Sequence, residues 1–254
     1  MFTEERRNKI FELIKEKKSI TNIDLINIFQ VSGTTVRTDL KFLENKGKII
    51  RTHGGAILNE ESLSRERPII NRKDHYIKQK QRIAKKARNL IDDGDTILLD
   101  SGTTSLELAK LLIDTKNITV ITNDLQIALE LQKMQNIYLI IIGGRVRNFF
   151  ECTVGNMAFK YLKNLSVDKA FVTANAVSIS KGLTTPSIEN AEIKMAMMNI
   201  SDKKYLICDS SKFGKKTACS FGKIEDLDIV ITDNNIPEEL YSTIKNKKIL
   251  IYRC

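Results

Sequence analysis

The sequence predicts a two-domain α/β protein, in which a small helical domain with a β-hairpin precedes a larger, mostly parallel α/β domain. Residues 1–58 show three helical segments followed by two short strands. From Tyr76 onward, short apolar runs alternate with helical segments, the pattern of a parallel sheet. Residues 59–75 lack periodicity and contain Pro68, which indicates a linker. The larger domain is therefore expected to cover residues 76–254.

Two helices open the small domain. The first is predicted over residues 3–17, where apolar side chains such as Ile10 and Ile14 recur at helical spacing. Thr21, followed three residues later by Asp24, has the form of a capping box and predicts the start of a short second helix.

A third helix and a hairpin complete this domain. Ser32 is the predicted N-cap of a helix that extends to about Asn45, and Gly47 is its predicted C′ residue. Two short strands follow around residues 53–55, His-Gly-Gly, where the glycines are expected to tolerate positive φ. Helix, helix, turn, helix and hairpin together form a winged helix-turn-helix.

The third helix carries a polar stripe opposite its apolar face. A helix of about 14 residues spans roughly 21 Å and fits a B-DNA major groove about 12 Å wide. Hydroxyls and an arginine can reach base edges, the helix N-terminus can hold a phosphate, and a basic hairpin tip can lie against the backbone or minor groove. A solvent-facing stripe on a small domain is the plainer alternative. The predicted DNA contacts are Ser32, Thr34, Thr35, Arg37, Thr38, Lys41, Arg51, His53, Gly54 and Gly55.

The net charge of +10 lies entirely in the first third of the chain. Residues 1–56 hold 11 Lys and Arg against 7 Asp and Glu, residues 65–88 hold 10 against 2, and residues 89–254 hold 20 of each sign. A localised basic field favours a polyanionic partner because neutralised phosphates release counterions. A solvated basic surface would give the same count, so charge alone does not identify the partner.

The larger domain is predicted to be a sheet of strands buried on both faces, because its apolar runs are short and continuous. These runs cover residues 96–100, 118–122, 137–142, 169–174, 204–208, 228–232 and 248–252. A basic amphipathic helix follows Tyr76, and further helices are predicted over residues 105–113, 124–133, 155–164 and 188–201.

Turns rich in Gly, Ser and Thr follow several of these strands. The carboxyl ends of parallel strands share one edge, so the turns are expected to line one crevice. Amides, hydroxyls, a carboxylate and lysines there suit a phosphorylated polyol or sugar. Surface charge is the alternative role for the lysines, and capping of the next turn is the alternative for Asp100. The candidate effector residues are Lys80, Asp100, Ser101, Gly102, Thr103, Thr104, Thr122, Asn123, Gly143, Gly144, Asp209 and Lys212.

The segment VSGTTVRTDLKFLENKGKIIRTHGGA, residues 31–56, resembles the DNA-binding segment of DeoR-family transcriptional regulators. That segment usually reads VSxxTIRRDLxxLExxGxLxRxHGGA, so the second of its two adjacent arginines is replaced here by Thr38. This departure removes an expected phosphate or base contact, so the resemblance does not give the operator sequence, whereas the expectation of DNA binding is unchanged. The matching residues are Val31, Ser32, Thr35, Arg37, Asp39, Leu40, Leu43, Glu44, Gly47, Arg51, His53, Gly54, Gly55 and Ala56.

The resemblance continues through the larger domain, which is similar to the DeoR-type C-terminal sensor domain. It implies a fold related to ribose-5-phosphate isomerase and coenzyme A transferases, a sugar-phosphate effector, and sensing without turnover. The family usually has a glycine-containing GASGI loop where residues 173–177 read TANAV, which predicts a narrowed, altered or weakened effector site. The similar blocks are IDDGDTILLDSGTTSLELAKLL, ITVITNDLQIAL, GGRVR, DKAF, GLTT, NAEIKMAMM and DSSKFG.

The sequence therefore predicts a cytoplasmic bacterial transcriptional regulator, a homodimeric or homotetrameric repressor of a carbohydrate operon that responds to a phosphorylated sugar. One alternative is a sugar-phosphate isomerase or transferase with a DNA-binding appendage, in which Asp100, Asp124 or Asp209 is the general base. A second is a nucleic-acid chaperone that binds by charge alone.

No cofactor, metal, catalytic residue or membrane association is expected. The four cysteines are far apart and only two histidines occur, which makes a zinc site improbable. No apolar run of about 18 residues exists that could span a membrane. The N-terminus interleaves acids with bases and resembles neither a secretory signal nor a transit peptide.

Overall fold

The computed structural model describes residues 2–45, 48–52, 54–58, 72 and 75–254. The chain divides into two compact units, Met1–Glu66 and Arg67–Cys254. Most of the predicted linker, residues 59–75, lies outside the described residues, as do Gly47 and His53. No helix in the described part of the chain is long and apolar enough to cross a membrane. Nor does that part contain a group of three or more His, Cys, Asp or Glu side chains that could hold a metal ion.

The N-terminal unit combines three helices with a three-stranded antiparallel sheet in the order β1-β3-β2. The β2–β3 hairpin was predicted, whereas β1 was not, because its three residues were interpreted only as the approach to the second helix. The elements are α1 (Thr3–Lys17), β1 (Ser19–Thr21), α2 (Asn22–Phe29), α3 (Gly33–Asn45), β2 (Ile49–Thr52) and β3 (Gly55–Leu58).

Both predicted helix caps are confirmed. The Asp24 amide donates to Thr21 Oγ1 at 3.1 Å, and the Thr21 amide donates to Asp24 Oδ2 at 3.3 Å, which closes the capping box of α2. The Thr35 amide donates to Ser32 Oγ at 3.2 Å, so Ser32 is the N-cap of α3.

The core of this unit is built on the inward face of α3. Val36, Leu40 and Leu43 are each at most 1% exposed, as their helical spacing predicts. They belong to one apolar cluster with Ile10 and Ile14 of α1, which also includes Leu25, Ile49 and Ala56. Burial of this face leaves the opposite side of α3 to solvent.

Gly55 has a different role from the one predicted. It is not a turn residue with positive φ; it is the first residue of β3 and pairs with Thr21 of β1. A Cβ atom built on Gly55 would lie 2.1 Å from the Ile20 carbonyl oxygen and 2.8 Å from Thr21 Cα. Glycine is therefore required because the backbone of β1 approaches so closely.

We expect Gly55→Ala to lower the free energy of unfolding of the N-terminal unit by about 3 kcal/mol, because backbone atoms of β1 must move to admit a methyl group. Gly54→Ala is the matched control, since no atom lies within 4 Å of its added Cβ. Hydrogen exchange of residues 2–45 in the full chain measures both variants. Equal losses from the two substitutions would contradict the close-approach explanation.

The C-terminal unit is built on a seven-stranded parallel sheet in the order β15-β14-β12-β9-β4-β5-β6. All seven predicted strands form this sheet, with ends shifted by a few residues. Its strands are β4 (Thr96–Leu99), β5 (Ile118–Thr122), β6 (Ile137–Ile141), β9 (Val167–Val172), β12 (Ser201–Ile207), β14 (Ile229–Thr232) and β15 (Leu250–Arg253).

Five further strands were not predicted, because three- and four-residue strands carry too little periodicity. They form an antiparallel hairpin, β7 with β8, and a small antiparallel sheet in the order β10-β11-β13. Their bounds are β7 (Arg145–Arg147), β8 (Cys152–Val154), β10 (Ala176–Ser178), β11 (Gly182–Thr185) and β13 (Cys219–Gly222).

Helices cover both faces of the large sheet. Successive residues of β4 alternate between two apolar clusters, with Leu98 in one and Ile97 and Leu99 in the other. This alternation explains the continuous apolar runs, since each face needs its own apolar side chains. The helices are α4 (Ile77–Arg88), α5 (Thr103–Ala109), α6 (Leu125–Leu131), α7 (Asn156–Leu162), α8 (Ile188–Asn199) and α9 (Glu238–Asn246), of which α9 was not predicted.

Candidate DNA-reading surface and effector crevice

The predicted reading stripe lies on the exposed side of α3. Thr34, Arg37, Thr38 and Lys41 are all exposed, opposite the buried face of the helix. We call these four residues the reading stripe. A Cβ built on Gly33 would lie 3.7 Å from one terminal nitrogen of Arg37, so this guanidinium lies back over the first turn of α3.

Three hydroxyls of α3 and its cap already have partners within the protein. Ser32 Oγ and Thr35 Oγ1 lie 2.9 Å apart and share a hydrogen bond at the N-cap. Thr38 Oγ1 donates to the Thr34 carbonyl oxygen at 3.0 Å. Ser32 and Thr35 thus cap the helix, and the hydroxyl hydrogen of Thr38 is used within the helix itself.

A buried carboxylate holds α3 against α1. Asp39 is 1% exposed and accepts hydrogen bonds from Arg6 Nε and Arg7 Nε, both at 2.7 Å. Arg7 also lies over the Phe42 ring, with its guanidinium carbon 4.1 Å from the ring centroid. Asp39 was identified from the sequence only as a residue that matches the family motif. Its two arginine partners, more than 30 positions away, were not predicted.

The hairpin is joined to the end of α3 through Glu44. The Arg51 amide donates to Glu44 Oε1 at 3.1 Å, and Arg51 Nη1 lies 3.7 Å from Glu44 Oε2. Both side chains are more than one-third exposed, so the ion pair itself contributes little to stability. Its geometric effect is to tie β2 to the reading helix.

In the C-terminal unit, the turns after β4 and β5 meet at the carboxyl edge of the sheet, as predicted. The Gly102 amide donates to Asp124 Oδ2 at 3.2 Å, and Thr122 Oγ1 donates to the Leu99 carbonyl oxygen at 2.8 Å. Burial raises the pKa of Asp124 to about 6, against hydrogen bonds that lower it and with repulsion from Asp100 adding to the rise.

Asp100 is buried, and its Oδ2 atom has three partners within the protein. It accepts hydrogen bonds from the Thr173 amide and from Thr173 Oγ1, both at 2.8 Å, and it forms an ion pair with Lys194 of α8. Lys194 was not among the predicted site residues. A single lysine inside the apolar segment EIKMAMM is the signal that could have indicated a buried partner.

Thr173 occupies the space between β9 and the turn after β4. Its Cγ2 would lie 3.1 Å from a Cβ built on Gly102, and its Oγ1 lies 3.0 Å from the Ser101 carbonyl oxygen. Glycine at position 102 therefore accommodates the Thr173 side chain. The effect of residues 173–177 on the effector site, which the sequence predicts to be narrowed, altered or weakened, stays a prediction.

A second group of charges gathers around Lys80. The Lys80 ammonium is buried and donates to the Arg72 carbonyl oxygen, and none of the ion pairs found among the described residues includes it. Burial lowers the pKa of Lys80 to about 8. The nearby Asp209 carboxylate opposes this shift, and the charges of Lys212 and Arg72 add to it. Three predicted residues from α4 and the end of β12 are thus close together.

The remaining predicted crevice residues have structural contacts of their own. Asn123 is buried and donates from Nδ2 to the Thr153 carbonyl oxygen at 2.8 Å, while its Oδ1 has no hydrogen-bond partner among the described residues. Gly144 packs against β8, since a Cβ there would lie 2.7 Å from the Val154 carbonyl oxygen. Gly143 is exposed, Thr104 is buried, and Ser101 and Thr103 are half-buried.

Family models match both units. The model of the DeoR-like helix-turn-helix domain matches residues 6–62, and the model of the DeoR C terminal sensor domain matches residues 75–234. The chain belongs to the DeoR family. A DeoR-family protein is a DNA-binding transcriptional regulator, so the predicted class is confirmed.

Relatives of this DeoR-family protein are similar over nearly its whole length. An HTH-type transcriptional regulator of Listeria innocua is 35% identical over 249 residues, which are 97% of this chain and 96% of the relative. A lactose phosphotransferase system repressor of Staphylococcus epidermidis is 36% identical over 233 residues, 91% of this chain and 92% of the relative. Among solved structures, ribose 5-phosphate isomerase A of Methanocaldococcus jannaschii matches 53% of each chain, with 20% identity and a TM-score of 0.38.

We expect Lys194→Met to lower the free energy of unfolding of the C-terminal unit by about 3 kcal/mol, because it leaves the Asp100 carboxylate buried without its counter-charge. Lys133→Met is the control, since Lys133 forms an exposed ion pair with Glu130 and should change stability by less than about 1 kcal/mol. Urea denaturation measures both.

The double variant Asp100→Asn/Lys194→Met removes both charges and should be more stable than Lys194→Met alone. A Lys194→Met variant as stable as Lys133→Met would show that the buried ion pair does not support the fold.

Proposed function

We propose that this DeoR-family protein is a cytoplasmic bacterial repressor of a carbohydrate-utilisation operon. It binds operator DNA through the reading stripe of α3 and the β2–β3 hairpin. It releases the DNA when a phosphorylated sugar occupies the crevice at the carboxyl edge of the large sheet. The observation that carries the effector half of the proposal is the buried Lys80 ammonium, whose hydrogen bond is made to a carbonyl oxygen.

The reading stripe supports the DNA half of the proposal. Arg37 is exposed and can donate two hydrogen bonds to the O6 and N7 atoms of guanine, the commonest specific contact in the major groove. Asp39 faces the opposite way, so the interior contacts of α3 do not compete with DNA. Arg51 and the hairpin then lie in position to contact the phosphate backbone beside the groove.

A buried ammonium group costs several kcal/mol in lost hydration unless an anion compensates for it. For Lys80 that compensation comes from the Arg72 carbonyl oxygen and from the carboxylates of Asp209 and Glu107, which both raise its pKa. Glu107 is also paired with Lys110, and Lys212 adds a second cation near Lys80, so a phosphate group would supply further counter-charge. One relative is named a lactose phosphotransferase system repressor, which supports a carbohydrate system as the target of this protein.

The protein acts as a homodimer or homotetramer, because a two-fold symmetric operator presents two half-sites that each need one reading helix. These half-sites are separated by whole helical turns, about 10 bp or multiples. The effector must bind the DNA-free state more tightly than the DNA-bound state, because only differential affinity can shift the equilibrium.

We expect Arg37→Ala to weaken sequence-specific binding without changing the fold, because the side chain is exposed. Fluorescence anisotropy on an operator selected from random duplexes should show a loss of affinity of about 5- to 150-fold, which corresponds to one bidentate contact of ~1–3 kcal/mol. Lys133→Ala removes the same charge from the other unit and should bind like the wild type. Equal operator affinity of Arg37→Ala and wild type would show that α3 does not read DNA.

We expect a panel of sugar phosphates to yield one that binds saturably, raises the melting temperature and is not consumed. Lys80→Met and Lys212→Ala should weaken this binding while leaving operator affinity unchanged, and Lys133→Met is the matched control. Consumption of the ligand would instead support the enzyme alternative.

The same binding should depend on pH through Lys80. Below pH 8 the Lys80 ammonium is charged in the free protein. Above pH 8 the amine of the free protein is neutral, so Lys80 must take up a proton when the anion binds. The affinity for the sugar phosphate should therefore fall by about tenfold between pH 7 and pH 9. The phosphate remains dianionic over this range, so the ligand does not contribute. Calorimetry at pH 7 and pH 9 measures this change in affinity, and the Lys80→Met variant should not show it.

A further inference from the structure

Thr38, one of the four residues of the reading stripe, uses its hydroxyl group within the helix. The hydroxyl donates its hydrogen to the Thr34 carbonyl oxygen, one turn earlier in α3, at 3.0 Å. The residue is exposed, so its methyl group and the lone pairs of Oγ1 are what remain available to a partner.

We propose that Thr38 recognises an A·T base pair of the operator, through its methyl group and the acceptor side of its hydroxyl. This rests on the proposed function, in which the reading stripe lies in the major groove.

The chemistry of base edges supports this choice. In the major groove a G·C pair offers the guanine acceptors N7 and O6, to which a hydroxyl that has already given its hydrogen to the backbone cannot donate. The pair also offers the N4 amino group of cytosine as a donor, but it has no methyl group, so the methyl contact decides between the two pairs. An A·T pair offers the N6 amino group of adenine and the C5-methyl group of thymine, with the thymine O4 acceptor between them. These two groups match an aliphatic methyl and a hydrogen-bond acceptor.

The hydrogen bond to Thr34 also fixes the side chain before DNA arrives. Threonine in a helix has few χ1 rotamers, and the bond to the carbonyl four residues earlier selects among them. Thr38 therefore loses little conformational entropy on binding. Arg37, which carries donors only, is suited to guanine, so the two adjacent residues read base pairs of opposite type.

The test begins with selection of operators from random DNA duplexes by the full chain. Each dT in the selected half-site is then replaced singly by dU, which removes only the C5-methyl group. For the wild type we expect one position per half-site to lose affinity about fourfold, which corresponds to ~0.8 kcal/mol for one methyl group.

Two variants assign this effect to Thr38. Thr38→Ser keeps the hydroxyl and lacks the methyl group, so it should bind the dT and dU duplexes equally at that position. Thr38→Val keeps a methyl group and lacks the acceptor, so it should retain the preference for dT. Circular dichroism and thermal unfolding check that both variants keep the fold.

The outcomes separate this inference from the function on which it rests. If no sequence is selected, or if Arg37→Ala binds the selected duplex like the wild type, the reading-helix proposal fails together with this one. If Arg37→Ala loses binding but no dU substitution matters, the inference for Thr38 alone is overturned. A dT preference that persists in Thr38→Ser, or that Thr38→Val lacks, overturns it as well.

Discussion

Parallel pairing of the seven strands in the C-terminal unit determines where its polar groups can meet. Every strand of this sheet runs in the same direction, so each one ends at the same edge. Asp100 and Lys194 are 94 positions apart in the chain and still form an ion pair, because β4 ends where α8 passes. The connections between strands must return across the faces, which places helices on both sides and buries the apolar runs.

At that edge, buried charges differ in how they are compensated. Asp100 has a lysine and two donors from Thr173, whereas Asp124 has three backbone amides and a raised pKa. Lys80 has a carbonyl oxygen and two carboxylates at longer range, and its pKa is lowered. A structural role explains the first two, because each joins neighbouring turns. Of these three groups, Lys80 would gain the most stabilisation from a bound anion.

Periodicity decided how much of this could be predicted from the sequence. The buried face of α3 follows the helical repeat, and the seven strands of the large sheet are continuous apolar runs, so both were found. β1 has three residues, too few for any period, and its register with β3 depends on Gly55 of a distant segment. The partners of Asp100 and Asp39 were missed for a different reason, because these ion pairs join residues 94, 33 and 32 positions apart and local spacing does not identify such partners. The lone lysine among apolar residues indicates that Lys194 is buried, but it does not name Asp100.

The contacts of Asp39 bear on how such a regulator changes over evolution. Arg6 and Arg7 hold α3 from its inner side, through a residue that takes no part in the reading stripe. Substitutions at Thr34, Arg37, Thr38 or Lys41 therefore alter what the helix presents without disturbing what anchors it. Operator preference can therefore diverge between related proteins while the contacts of Asp39 are retained.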